Sequence, residues 1–359
     1  MVRDRQHSVW VPGVTTHRAL IAEIEKIGGG VRSVEQLASA NSRVLRIRTV
    51  TADYLAKLYP RIADDRRDRL RTEFSAVEFM WKHGLRQIPE PILSRPESAF
   101  AVYRFVEGVG IVDVSPDDID QAATFVEALA SLRTSAGSDA LGPASEACFS
   151  LEEIEDQLVE RRKRFETVRP YTRHHQDALA FVEGDLEQTI NEAIEEARCV
   201  YDDAGLDSTC LIGPEHRALS PSDFGFHNAL RRSDGQLAFV DFEYFGWDDP
   251  AKLVCDFVLH PAMTLTSELK AQFASRVLSI FSDDSTLRHR IQALRPLWAL
   301  KWCLIVLNEF LPGSWERRRL AHSGEMEGVL KRQVEKARDL LSAARQAMEF
   351  GPLFGSAGQ

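Results

Sequence analysis

The sequence predicts an α+β protein: a small β-rich N-terminal part followed by a large, mainly helical C-terminal part. Three observations lead there. Between residues 31 and 106, short apolar runs alternate with charged residues at strand spacing and are broken by glycine, proline and polar turns. From Ser115 onward most apolar residues recur every three or four positions, the spacing of one helix face. Within that helical region one stretch, 219–256, returns to turns and short strands and collects carboxylates at the strand ends.

Composition narrows the function. The chain has 359 residues, 44% of them hydrophobic, enough for a large core in one bilobal unit or two domains. Its formal net charge of −10 argues against a general nucleic-acid partner, which calls for basic stripes. Cys148, Cys199, Cys210, Cys255 and Cys303 are scattered without Cys-x-x-Cys spacing, which disfavours a zinc site or a disulfide framework. The first residues lack an apolar signal core. The most apolar later run, 296–311, carries Lys301, Asn308 and Glu309, is shorter than a membrane span and reads as a buried helix. A cytoplasmic protein with no membrane span is the expectation, and its oligomeric state is not legible.

The N-terminal elements follow in order. Residues 16–26 have helical spacing and end at Gly28-Gly29-Gly30, which reads as a helix terminator because no Lys-Ser/Thr follows to make a phosphate-binding loop. Strands are predicted over 31–38 and 43–49, joined by a polar tip containing Ser39, Asn41 and Ser42. A third strand, 54–59, holds Lys57 among apolar residues, a costly place for an ammonium without a partner. The charged helix predicted over 64–83 puts Glu73 beside its apolar face, with Glu78 as the competing acid. An edge-strand lysine in solvent and one glutamate among many on a wet face are the bland alternatives. Pro89 and Pro91 bound a short strand near Ile92, and 100–106 has the composition of a buried strand.

Helices are then predicted over 118–133, over 150–168 with Ser150 as N-cap, and over 176–203. The basic cluster 161–164 reads as a solvated face, and His174-His175 lacks metal-ligand spacing. A strand at 217–219 enters a loop in which Asp223 and Asn228 stand five positions apart. A hairpin turn at Ser233-Asp234-Gly235 and an apolar run, Leu237-Ala238-Phe239-Val240, lead to Asp241 and Glu243. Asp249-Pro250 starts the next helix, 250–259, and further helices are expected over 267–281, 287–311 and 325–348. A carboxylate that can take a hydroxyl proton, followed by an amide and a carboxylate as hard oxygen ligands, suits phosphoryl transfer with a divalent metal.

Asp223, Asn228, Asp241-Phe242-Glu243 and Asp248-Asp249-Pro250 together resemble the catalytic core of the aminoglycoside phosphotransferase family. That family reads His-Gly-Asp, four residues, Asn, then Ile-Asp-Trp/Phe-Glu and Gly-Asp-Pro. Pro221, Ser222 and His227 depart from it, standing where the family has His, Gly and usually Gly. The resemblance implies a bilobal protein-kinase-like fold, with a nucleotide-covering N-lobe over 1–105 and a C-lobe over 106–359. It implies transfer of the γ-phosphoryl group of ATP, or of GTP, to a hydroxyl of a small molecule such as a sugar, an amino alcohol or an aminoglycoside-like compound. It casts Asp223 as base, Asn228 and Asp241 as Mg2+ ligands and Glu243 as their helper through water. The nucleotide falls to Lys57 paired with Glu73, to Ser39, Asn41 and Ser42 at the hairpin tip, and to the backbone around Tyr103 and Phe105. Asp256 is expected to brace the catalytic loop, and Asn308 and Glu309 are acceptor contacts, satisfied core polar groups or an exposed stripe. No Ala-Pro-Glu follows Asp241, which disfavours a protein substrate. Two other readings stay open: a nucleotide-binding regulator without transfer, and a helical interaction protein.

Overall fold

The structure, a computed structural model, describes residues 9–10, 14–37, 42–62, 67–312 and 326–349. After a two-residue strand β1 (Val9–Trp10), helix α1 (Val14–Gly28) leads into β2 (Val31–Leu37), β3 (Arg43–Thr49) and β4 (Asp53–Leu58). Strand β5 (Arg61–Ile62) pairs with β1. Helix α2 (Arg69–Lys82), β6 (Pro91–Arg95) and β7 (Phe100–Arg104) complete the N-terminal region. The main sheet is antiparallel in the order β2-β3-β4-β7-β6.

Period-two alternation gives this sheet two different faces. Tyr54, Ala56 and Leu58 of β4 and Phe100 and Val102 of β7 join Leu45 and Ile47 in a small core closed by Leu20 and Ile24 of α1. Ala101 and Tyr103 go to the other side and join α2 in the large core of the molecule. Lys57, between Ala56 and Leu58, therefore faces α2 rather than α1. Helix α2 starts later than expected: Asp68 caps it by accepting the Arg71 N–H, and residues 64–66 of the expected span lie outside the described residues.

The remainder is mainly helical. Helices α3 (Pro116–Ser131), α4 (Leu151–Lys163), α5 (Arg173–Phe181) and α6 (Glu187–Asp203) precede the catalytic stretch, and α7 (Pro250–Leu259), α8 (Ser267–Ile280), α9 (Leu287–Val306) and α10 (Met326–Glu349) follow it. A capping box between Ser115 and Asp118 sets the start of α3. The single helix expected over 176–203 is two, joined by a π-helical turn, Val182–Leu186. The helix expected over 150–168 ends as α4 and a 3-10 turn, Arg164–Thr167. Helix α9 is buried along most of its length and packs against α4, α6, α7 and α10, so the apolar run at 296–311 is core, as expected. Among the described residues no helix is long and apolar enough to cross a membrane.

Five short strands frame the stretch from Ala218 to Asp248: β8 (Val109–Gly110), β9 (Ala218–Ser220), β10 (Ala229–Arg231), β11 (Leu237–Phe239) and β12 (Gly246–Asp248). The β10–β11 hairpin turns where predicted, at Gly235 with φ +82°, a conformation that glycine adopts without steric cost. Strand β12 pairs antiparallel with β9, so the chain before the loop is tied to the chain after the metal-ligand candidates.

Candidate active site

The loop from Pro221 to Asn228 is pinned from below by aromatic packing. Phe224 contacts Phe125, Phe239, Phe257 and Phe273, and Phe226 packs edge-on against Phe257. Ser222 has φ +65°, a left-handed conformation that explains why glycine suits this position in the resembling family. Here the serine is held by its side chain. Its N–H donates to Ser220 Oγ at 3.1 Å, its hydroxyl donates to Ser145 O at 3.3 Å, and Lys252 Nζ donates to that hydroxyl at 3.1 Å.

Lys252 is the brace of the loop. It lies fully buried on α7, 2.7 Å from Asp248 Oδ2 and 2.8 Å from Asp256 Oδ2. Burial pulls the ammonium pKa down, but the two carboxylates outweigh this and hold it above its ordinary value. Asp256 thus supports the loop as expected, but through Lys252. The sequence carried a signal for this: Lys252 and Asp256 are spaced by four on one helix face, and Asp248 stands four positions before Lys252, just ahead of the helix. A second buried network, Asp249–Arg290–Asp284, fixes the start of α7, with Arg290 Nε 2.8 Å from Asp249 Oδ2 and Nη2 2.8 Å from Asp284 Oδ2.

Asp223 sits at the mouth of the loop with its side chain 31% exposed. His227 Nε2 is 3.0 Å and His260 Nε2 3.1 Å from the same carboxylate oxygen, Oδ1. Burial pushes the Asp223 carboxyl up, yet the two imidazole donors prevail and hold it well below the usual carboxylate range. Asn228 Nδ2 donates to Asp223 O at 2.9 Å, which leaves the amide oxygen as the ligand end. Val240 N donates to Asn228 O at 2.9 Å, so the hairpin sets Asn228 beside the strand end that carries Asp241.

Asp241, with φ +67°, turns back toward the N-terminal sheet. Lys57 Nζ lies 2.5 Å from Asp241 Oδ1, 2.7 Å from Glu73 Oε2 and 3.5 Å from Glu243 Oε2. Lys57 and Glu73 are buried, and the pairing expected from sequence is present. Burial pulls the Lys57 pKa down, but Glu73, Asp241 and Glu243 hold it well above its ordinary value. Burial is also the main reason that the Glu73 carboxyl is raised. Tyr59 OH donates to Glu73 Oε2 at 2.7 Å and lies 3.3 Å from Tyr103 OH. Glu243 is buried, and Arg69 Nη1 donates to it at 3.1 Å, so it joins α2 to the strand end. With Lys57 among Glu73, Asp241 and Glu243, Asp241 is the partly open carboxylate of the three, at 38%. Asp241 and the Asn228 amide oxygen offer the hard donors that Mg2+ takes.

Other expected residues are placed as follows. Ser39 and Asn41 lie outside the described residues, and Ser42 immediately precedes β3. The Tyr103 side chain belongs to the Glu73 cluster, while the Phe105 N–H donates to Asp53 O at 3.0 Å and its ring lies under the Arg46 guanidinium. Glu309 is buried and Asn308 half-buried in a 3-10 turn, Leu307–Phe310. His260 was not anticipated: it ends α7, and nothing local in the sequence marks it as a neighbour of Asp223.

Comparison with solved structures gives a common architecture. The choline kinase LicA from Streptococcus pneumoniae superposes with a TM-score of 0.58 at 17% identity, covering 92% of this chain and 99% of that one. The spectinomycin phosphotransferase APH(9)-Ia, solved with ADP and spectinomycin, has a TM-score of 0.58 at 9% identity over 92% and 98%. The ethanolamine kinase of Plasmodium vivax has 0.53 at 14% identity over 87% and 81%. The fold is the bilobal kinase-like one, with an N-terminal sheet and a larger helical part. No curated protein matches the chain. The model of the phosphotransferase enzyme family matches residues 33–294, and on that match, which takes in Lys57, Glu73, Asp223, Asn228 and Asp241, the chain belongs to the phosphotransferase enzyme family.

Proposed function

We propose that the protein transfers the γ-phosphoryl group of ATP to a hydroxyl of a small molecule, with Asp223 as base. The observation that carries this reading is the spatial order of the site: Lys57 paired with Glu73, then Asp241, then Asn228, then an ionised, part-exposed Asp223. Lys57 steadies the nucleotide phosphates. Asn228 and Asp241 hold Mg2+, which when bound neutralises charge on the transferring group. Asp223 orients the acceptor hydroxyl and takes its proton. Small-molecule acceptors are favoured by the kinases of like fold, which act on choline, ethanolamine and spectinomycin. An acidic composition, with a net charge of −10, also speaks against a nucleic-acid partner.

The test is a panel of hydroxyl compounds (amino alcohols, sugars, aminocyclitols) assayed for ADP release with MgATP. An acceptor that stimulates release, with Asp223→Asn lowering turnover by roughly a thousandfold, supports the proposal. A stimulated rate that survives Asp223→Asn contradicts it.

A further inference from the structure

Two histidines converge on one oxygen of Asp223, and their ring nitrogens reveal how. The His227 and His260 rings stack in parallel, with centroids 3.8 Å apart and planes 4° from each other. Trp302 stands edge-on to His260 at 4.6 Å. His260 Nδ1 accepts the backbone N–H of Ala262 at 3.2 Å. A nitrogen that accepts a hydrogen bond carries no proton, so the proton of a neutral His260 is on Nε2, the atom facing Asp223. His227 Nδ1 is buried and has no partner among the described residues. A proton there would be an orphaned buried donor, whereas on Nε2 it meets a carboxylate 3.0 Å away.

Gly225 permits the arrangement. A Cβ on Gly225 would lie 2.6 Å from Met263 Sδ and 2.8 Å from His227 Nδ1, so any side chain there would push the ring.

We infer that His227 and His260 are positioning residues: two Nε2–H donors that together saturate Asp223 Oδ1 and leave Oδ2 alone to receive the acceptor's proton. A carboxylate oxygen offers two lone pairs, and both on Oδ1 are used. Oδ2 has no partner among the described residues. The donors fix the carboxylate plane and favour its ionised form. The inference rests on the proposed role of Asp223 as base.

Long-range 15N–1H correlation spectra of histidine-labelled protein at pH 8 test the donors directly, with signals assigned from His227→Phe and His260→Phe. The inference expects the Nε2–H tautomer at both positions. An Nδ1–H tautomer, with no proton on Nε2, at either position overturns it. The kinetic arm reads ADP release from MgATP with water as acceptor. His260→Phe keeps a ring against Trp302 but removes the donor, and His260→Gln keeps a donor. A hydrogen bond to a charged group converts to a loss in kcat of about tenfold or more for His260→Phe, with KM for MgATP unchanged and partial rescue by His260→Gln. Full activity of His260→Phe beside an inactive Asp223→Asn overturns this inference alone. An active Asp223→Asn overturns the base reading on which it rests.

Discussion

The two ends of the site hold their carboxylates in opposite ways. At the nucleotide end, Glu73, Asp241 and Glu243 gather around Lys57, with Arg69 adding a second cation to Glu243. Charge is balanced by charge in a buried setting. At the acceptor end Asp223 is half-exposed and held by two imidazoles and no Lys or Arg. On the proposed function, the difference follows from what each end would handle. Nucleotide phosphates bring negative charge, so a cation belongs there. As the proposed base, Asp223 must stay ionised and yet release its proton, so two imidazole hydrogen bonds suit it better than a Lys or Arg ion pair.

This contrast can be broken at either end. Lys57→Met strips the nucleotide end of the cation shared by three carboxylates and leaves Glu73 buried without it. The loss of one partner from a buried pair costs about 3–5 kcal/mol, so a drop of that size is expected in urea unfolding of the free protein, along with weaker MgATP binding. Lys252→Met does the same beneath the catalytic loop. With Asp248 and Asp256 both left behind, stability falls by a comparable or slightly smaller amount, and the loop loses the contact to Ser222. Asp223→Asn sharpens the comparison, since the amide oxygen still accepts both imidazole protons. Stability should change by only about 1 kcal/mol while turnover collapses, and equal losses of stability at Asp223 and Lys57 would contradict the contrast. Ser222→Gly has the smallest effect. It removes a left-handed strain worth about 1–2 kcal/mol and the two hydroxyl contacts, to Ser145 O and Lys252, while the backbone N–H bond to Ser220 stays, so the midpoint should move little.

What the sequence revealed follows the same division. Lys57 was legible because an ammonium inside an apolar strand demands a partner, and Glu73 because it lies beside the apolar face of the next helix. Asp223, Asn228 and Asp241 were legible as oxygen ligands on a loop and a strand end. Lys252 could have been read from its spacing of four to Asp248 and Asp256. His260 could not, since its approach to Asp223 depends on how α7 is packed against the loop and leaves no local pattern. His227 was visible only as a departure at the residue before Asn228, and its role needed the stacked partner. The break between α5 and α6 was likewise hidden, because the apolar spacing runs through the π turn almost unchanged.

The central claim is that Asp241 and Asn228 present Mg2+ to a nucleotide steadied by Lys57. Its most direct test is the thermal stability of the wild-type protein and of Asp241→Ala, each with ATP in the presence and absence of Mg2+. A ligand well above its dissociation constant stabilises by about 2.7 kcal/mol or more, so the wild type should melt several degrees higher with MgATP than with ATP alone. In Asp241→Ala that metal-dependent rise should vanish, measured against the variant's own unliganded midpoint. A folded wild type that shows no Mg2+-dependent rise, or a variant that keeps it in full, contradicts the account.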